Sequence, residues 1–140
     1  MFRFIAIIFL VFCFTGCSQN IQNEKFEEFF SHFIIDKSFE LSRTKFPLSS
    51  YRYEYWVDEK GNEESATIRT EVKKSVVASQ LSLSEYISKN GLSSELPDGD
   101  ALDSVKKVRV FKQSTDWLIE YHFERTNGQW FLVATHDYSL

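Results

Sequence analysis

Three groups of residues in this 140-residue chain carry side chains suited to chemistry or to ligand recognition. The first is Cys17, which directly follows the small residues Thr15 and Gly16. The second is His136, which falls among apolar residues close to the end of the chain. The third is a set of tyrosines and tryptophans, whose rings offer wide contact area at small entropic cost. The three groups indicate lipid attachment, acid–base chemistry and ligand binding.

Cys17 stands at the end of a segment that is typical of protein export. Arg3 supplies a cation, and residues 4–14 (FIAIIFLVFCF) form an uninterrupted apolar run. The run is too short for a bilayer, which takes about 20 residues, but it suits a signal peptide. The sequence Phe14-Thr15-Gly16-Cys17 resembles the bacterial lipobox, in which the cysteine receives a diacylglycerol, although Phe14 stands where leucine is usual. An ordinary signal peptide and an uncleaved anchor are the alternatives.

Acylation of Cys17 would bind the protein to a membrane, since two or three acyl chains hold far more firmly than one. We therefore expect a lipoprotein signal peptide over residues 1–16, a polar tether over residues 17–23 and one domain over residues 24–140. The expected location is the bacterial cell envelope, lipid-anchored and facing the periplasm. Without residues 1–16 the only cysteine is Cys17, so the domain has no disulfide and no cysteine-based metal site.

Charge and motifs argue against several classes of protein. The chain has 16 Lys+Arg against 20 Asp+Glu, and a nucleic-acid-binding surface would need clustered cations to neutralise phosphates. Glycine-rich phosphate loops and the common metalloprotease and hydrolase motifs do not occur in the sequence. We therefore expect neither a nucleic-acid partner nor a cofactor.

Periodic apolar residues predict the elements that position these groups. Phenylalanines and an isoleucine at helical spacing over residues 26–34 predict an amphipathic helix, capped by Asn23. Alternation in residues 51–56 and 66–72, on either side of a turn at residues 58–62, predicts a β-hairpin. The other predicted elements are a helical turn at 39–43, a helix after Ser84 that ends at Gly91, a loop over 93–103 and a strand over 105–111.

The last predicted hairpin joins strands over residues 117–125 and 130–138 through Asn127-Gly128, the strongest short-range hairpin signal. A regular register would pair Tyr121 with Ala134 and Ile119 with His136 on one buried face. His122 would then lie on the opposite face from His136, so the two could not share a metal, and we expect no metal site.

Several residues of the two predicted hairpins have both a functional and a structural interpretation. His136 on an apolar face is either a core residue with a satisfied hydrogen bond or an acid–base group in a pocket. The aromatic residues either bind a ligand or fill the core. The ligand-binding candidates are Tyr51, Tyr53, Tyr55, Trp117 and Tyr121.

One stretch of the sequence resembles a known family. Its pattern is Phe26-x-x-Phe29-Phe30-x-x-Phe33 followed by Asp36-x-x-Phe39-Glu40 and Phe46-Pro47-Leu48. It is similar to the envelope lipoprotein family of unknown function numbered 4348, found in gut Bacteroidetes, which has Gln at the place of Glu40. The resemblance implies an α+β, nuclear transport factor 2-like cone, with N-terminal helices packed on a curved antiparallel sheet that often encloses a pocket. It brings no catalytic residues.

Two functions remain open at this point. The first is a membrane-tethered, non-catalytic binding or scaffolding module whose partner is an envelope protein or a glycan. The second is a small isomerase or lyase that uses His136. The second needs His136 in a water-excluding pocket beside another polar group, whereas the first needs only an aromatic groove or patch.

Overall fold

The computed structural model describes residues 23–96 and 103–139. The expected signal peptide and Cys17 lie outside the described residues. No helix among the described residues is long and apolar enough to cross a membrane. The elements are α1 (Phe26–Ile35), α2 (Lys37–Ser42), β1 (Thr44–Val57), β2 (Glu63–Val72), α3 (Lys74–Ala78), α4 (Leu83–Asn90), β3 (Ser93–Glu95), β4 (Val105–Phe111), β5 (Leu118–Thr126) and β6 (Gln129–Asp137).

The first two helices confirm the predicted apolar stripe but begin differently from the expectation. The N-cap of α1 is Lys25, without a side-chain capping bond, so the predicted cap at Asn23 is wrong. The reason is that Glu24 ties this segment to the β5–β6 turn, because its backbone N–H donates to the Gly128 carbonyl at 2.9 Å. Helix α2 begins at Lys37, before the predicted start at residue 39, because the Asp36 carboxylate caps it.

Helices α3 and α4 follow the first hairpin. Helix α4 begins after Ser82 rather than Ser84, because Ser82 and Glu85 form a reciprocal capping box. It ends at Gly91 in the left-handed conformation (φ 62°), as predicted. Helix α3 has only five residues, too few for its period to be read in the sequence.

The strands form one six-stranded sheet in the order β2-β1-β6-β5-β4-β3. Neighbouring strands are antiparallel except β1 and β6, which run parallel. The predicted antiparallel sheet is thus confirmed in most of its pairs and wrong in this one, because alternation reports a strand's faces and not its direction. Strand β3 occupies part of the segment predicted as a loop.

The helices cover one face of the sheet, here called the inner face, and the other is called the outer face. On the inner face the fully buried Phe123 lies against four rings of α1, edge to face, at centroid distances of 5.2–5.9 Å. Leu48 and Leu132 extend this core along β1 and β6. Phenylalanine packing therefore holds α1 on the sheet.

A bulge in β6 changes which residues share a face. Near the turn the predicted partners are confirmed, since Phe123 pairs with Leu132. Beyond that pair the register shifts by one residue at Val133, so Tyr121 pairs with Thr135 and not with Ala134. A one-residue shift moves every later side chain to the other face. The prediction that His136 lies on the buried face, opposite His122, is therefore wrong.

Candidate binding cavity and outer-face cluster

A cavity of about 520 Å³ lies between the inner face and helices α2, α3 and α4. Its size falls within the usual range for small-molecule sites, which combine an apolar wall with a few polar groups. The polar side chains include those of Glu40, Ser50, Tyr86, Tyr121 and Thr135. The apolar lining is formed by Leu48, Val72, Val77, Leu81, Leu83, Ile119 and Leu132.

Glu40 is the carboxylate of the cavity wall, and it is only 8% exposed. Lys37 Nζ donates to both of its oxygens at 3.0 Å and also to the Leu81 carbonyl at 3.1 Å. Burial raises the pKa of the Glu40 carboxyl above its usual value, although the hydrogen bond and charge of Lys37 oppose the rise. Lys37 therefore occupies the oxygens that a ligand would otherwise contact.

Tyr121 brings its phenol to the cavity from the inner face of β5. Burial raises the pKa of this phenol, so the hydroxyl stays protonated at neutral pH. The structure gives it no hydrogen bond to another described residue. A protonated phenol with an open hydroxyl is a donor available to a ligand.

Ser50 and Thr135 complete the polar part of the wall. The Thr135 hydroxyl donates to the Ser50 Oγ at 3.1 Å, across the parallel β1–β6 pair. The sequence pattern predicts neither residue as part of a site, because only the bulge at Val133 turns Thr135 inward. Glu40 belongs to no catalytic or binding motif and stood out only in the family resemblance.

His136 lies on the outer face, where its ring is stacked on both sides. The Tyr51 ring lies at 4.6 Å and the His122 ring at 4.0 Å, both nearly parallel to it. The Tyr53 hydroxyl and His136 Nδ1 share a hydrogen bond of 2.8 Å. Tyr53 in turn stacks on Tyr138 at 4.5 Å. We call these five residues the outer-face cluster.

Buried charge supports this cluster from β4 and β5. Arg109 Nε donates to one oxygen of Glu120 at 3.0 Å, and His122 Nε2 donates to the other at 3.1 Å. Burial is the largest influence on the pKa of Glu120 and raises it, but the hydrogen bonds and charges of Arg109 and His122 together outweigh burial and lower the pKa. Burial, and then the charge of His122, lower the pKa of His136, so His136 is neutral at pH 7.

The site residues predicted from the sequence therefore lie in different parts of the fold. Tyr121 lines the cavity, whereas Tyr51, Tyr53 and His136 belong to the outer-face cluster. Within the cluster, Tyr51 stacks on His136, and Tyr53 stacks on Tyr138. Trp117 packs beside Tyr86, 6.4 Å between ring centroids, and Tyr55 stands exposed near the end of the first hairpin.

No group of three or more His, Cys, Asp or Glu side chains within residues 23–96 and 103–139 is arranged to hold a metal ion. The two histidines of the outer-face cluster do lie together, contrary to the prediction. Glu120, the carboxylate beside them, is already bonded to Arg109 and His122.

No protein-family model and no curated protein matches the chain. Among solved structures, it is similar to a nuclear transport factor 2-like protein of Bacteroides fragilis, with a TM-score of 0.58 and 21% identity. That match covers 84% of this chain and 48% of the other, so the chain spans about half the length of that protein.

Two further solved structures have lower TM-scores. One is a de novo designed protein with a curved β-sheet, at a TM-score of 0.46 and 10% identity over 81% of this chain and 95% of that one. The other is a nuclear transport factor 2-like protein of unknown function from Shewanella baltica, at 0.40 and 8% over 82% and 96%. On the Bacteroides match, the chain has the α+β, nuclear transport factor 2-like fold that the sequence resemblance implied.

Proposed function

We propose that this protein is a membrane-tethered, non-catalytic binding module that holds a small amphipathic molecule in the cavity. The observation that carries the proposal is the open, protonated hydroxyl of Tyr121 in a mainly apolar cavity of about 520 Å³. A site of this kind binds by excluding water from an apolar body and satisfying one polar group.

The chemistry of the wall favours a neutral ligand with a hydrogen-bond acceptor. Tyr121 donates and does not ionise near neutral pH, so it suits a carbonyl or ether oxygen. The Glu40 carboxylate is neutralised by Lys37, which leaves little net charge to attract an ionic ligand. A bicyclic ketone is a ligand of this kind, because it is neutral, has a hydrocarbon body and carries a carbonyl oxygen that accepts a hydrogen bond.

The isomerase or lyase alternative required His136 in a pocket. His136 lies on the outer face, and its ring faces are covered by Tyr51 and His122. The titratable carboxylate that does line the cavity is Glu40, and Lys37 holds both of its oxygens. We therefore favour binding over proton transfer.

A paired titration tests the cavity as the binding site. The probes are 1-tetralone and tetralin, which share a hydrocarbon frame and differ in the carbonyl oxygen. We expect the protein to prefer 1-tetralone, and Tyr121→Phe to reduce that preference about fivefold, the usual worth of one hydrogen bond. Tyr53→Phe is the matched control on the outer face and should leave the preference unchanged. An equal preference in the wild type and Tyr121→Phe proteins would contradict the proposal.

The tether is a separate part of the proposal, and it rests on the sequence. The apolar run, Thr15-Gly16 and the single remaining cysteine support acylation at Cys17 in the bacterial envelope, as does the resemblance to the family numbered 4348. We expect Cys17→Ala to release the protein from the membrane fraction, with Cys13→Ala as the control. Retention of Cys17→Ala after a carbonate wash, without attached lipid, would identify residues 4–14 as an anchor instead.

A further inference from the structure

The first hairpin extends beyond the rest of the sheet. Pairing of β1 with β6 ends at Arg52 and Asp137, whereas pairing of β1 with β2 continues to Val57 and Glu63. Residues 54–66, here called the hairpin tip, therefore form a two-stranded ribbon with nothing from β6 beside it. A ribbon of this kind presents both of its faces to a partner.

The hairpin tip exposes apolar side chains on both faces. Tyr55, Trp56 and Val57 are consecutive and are 59%, 46% and 64% exposed. Tyrosine and tryptophan are the side chains most often found as energetic anchors of protein interfaces. The turn that joins the strands is ordered, since the Asp58 carboxylate accepts hydrogen bonds from the backbone N–H groups of Lys60 and Asn62 at 2.8 Å.

Acidic residues surround these apolar side chains. Lys60 is the one cation of the hairpin tip, against five carboxylates. Across the described parts of the chain, none of the ion pairs involves these carboxylates. Their negative charge is therefore able to attract a cationic partner. The five are Glu54, Asp58, Glu59, Glu63 and Glu64.

We propose that the hairpin tip docks a basic protein segment that carries an apolar side chain. Charge complementarity selects this partner, because a second copy of the same acidic tip or an anionic lipid surface would be repelled. Position supports it as well: Glu24, which follows the tether expected over residues 17–23, bonds to Gly128 at the opposite end of β6 from the hairpin tip, so a tethered protein would hold the hairpin tip away from its attachment point. This inference is independent of the cavity.

The test uses the full chain in phosphatidylcholine vesicles, which have no net charge. The probe is a short fluorescent peptide with one leucine between lysines and serines, and its counterpart has glutamates in place of the lysines. We expect the anisotropy to report binding of the basic peptide only, weakened as salt rises from about 20 to about 200 mM. Replacing both Tyr55 and Trp56 by Ser should weaken binding at least about fivefold.

A charge variant and a control variant complete the test of the hairpin tip. Glu63→Gln combined with Glu64→Gln should reduce the salt dependence while leaving the fold unchanged by circular dichroism. Ile35→Ser, which removes an apolar side chain that is 63% exposed at the end of α1, is the matched control and should bind as the wild type does. No binding of the basic peptide, equal binding of both peptides, or full binding by the double Ser variant would overturn the inference.

Discussion

The two faces of the sheet use aromatic side chains in opposite ways. On the inner face, Phe123 meets four phenylalanine rings of α1 edge to face. On the outer face, rings with polar atoms lie parallel, as His136 does between Tyr51 and His122. Burial of hydrocarbon thus stabilises the first face, whereas stacking and hydrogen bonds order the second.

The bulge at Val133 causes part of this difference. Without it, the regular register would place His136 on the inner face. With it, Thr135 faces the cavity and His136 joins the outer-face cluster. One extra residue thereby keeps the imidazole out of the cavity, where Tyr121 is a donor.

The largest expected difference between the faces is in the cost of truncating a ring. Phe123→Ala should lower the free energy of unfolding by about 3–5 kcal/mol, because it leaves a void among the rings of α1. Tyr51→Ala, on the half-buried outer face, should cost about 1 kcal/mol. Urea unfolding measures both values. Equal costs would mean that the outer-face cluster is as essential to folding as the core.

The β5–β6 turn sets the register of both faces, so straining it is expected to have the next largest effect. Asn127 and Gly128 both have positive φ, at 51° and 78°. Gly128→Val should therefore destabilise the protein by about 1–3 kcal/mol, since a β-branched residue is strained there. Gln129→Val is the control, because it places the same side chain on the next residue, which is an exposed strand residue without positive φ. An unchanged urea midpoint for Gly128→Val would show that the turn does not constrain the hairpin.

The smallest expected effect is a pH dependence that belongs to the outer face. The pKa of His136 in the folded protein is below its ordinary value of 6.5. The unfolded chain therefore takes up the proton first, so this stability is fully present above pH 6.5 and is lost as the pH falls through the folded pKa. Glu120, with its pKa lowered from 4.5, acts in the same direction but below pH 4.5.

His136→Gln should flatten the stability profile just below pH 6.5, and His32→Gln should not. His32 lies exposed on α1 and serves as the matched histidine control. Urea midpoints at a series of pH values measure the difference. A profile that is equally steep in the His136→Gln protein would assign the pH dependence to other groups.

Local patterns were enough to predict α1, the Asn127-Gly128 turn and strand β4 with its bounds of Val105–Phe111. They were not enough for the parallel β1–β6 pair, which joins strands far apart in the sequence, or for the bulge at Val133, which regular alternation does not mark. The cavity depends on the placement of α2, α3 and α4 over the sheet, and only Tyr121 among its residues was a sequence candidate. Alternation placed Tyr51 and Tyr53 on one face of a strand, and the structure brings them together with His136 there.

The most direct test of the central claim is to locate the bound molecule by methyl NMR. The full chain is labelled at its Leu, Val and Ile methyl groups, placed in lipid nanodiscs and titrated with 1-tetralone, with empty nanodiscs correcting for partition into lipid. We expect saturable shifts at Leu48, Val77 and Leu83 in the cavity wall, and unchanged signals from Val57 at the hairpin tip. Shifts confined to Val57 and Val133, or no saturable shift at the cavity residues, would contradict binding in the cavity.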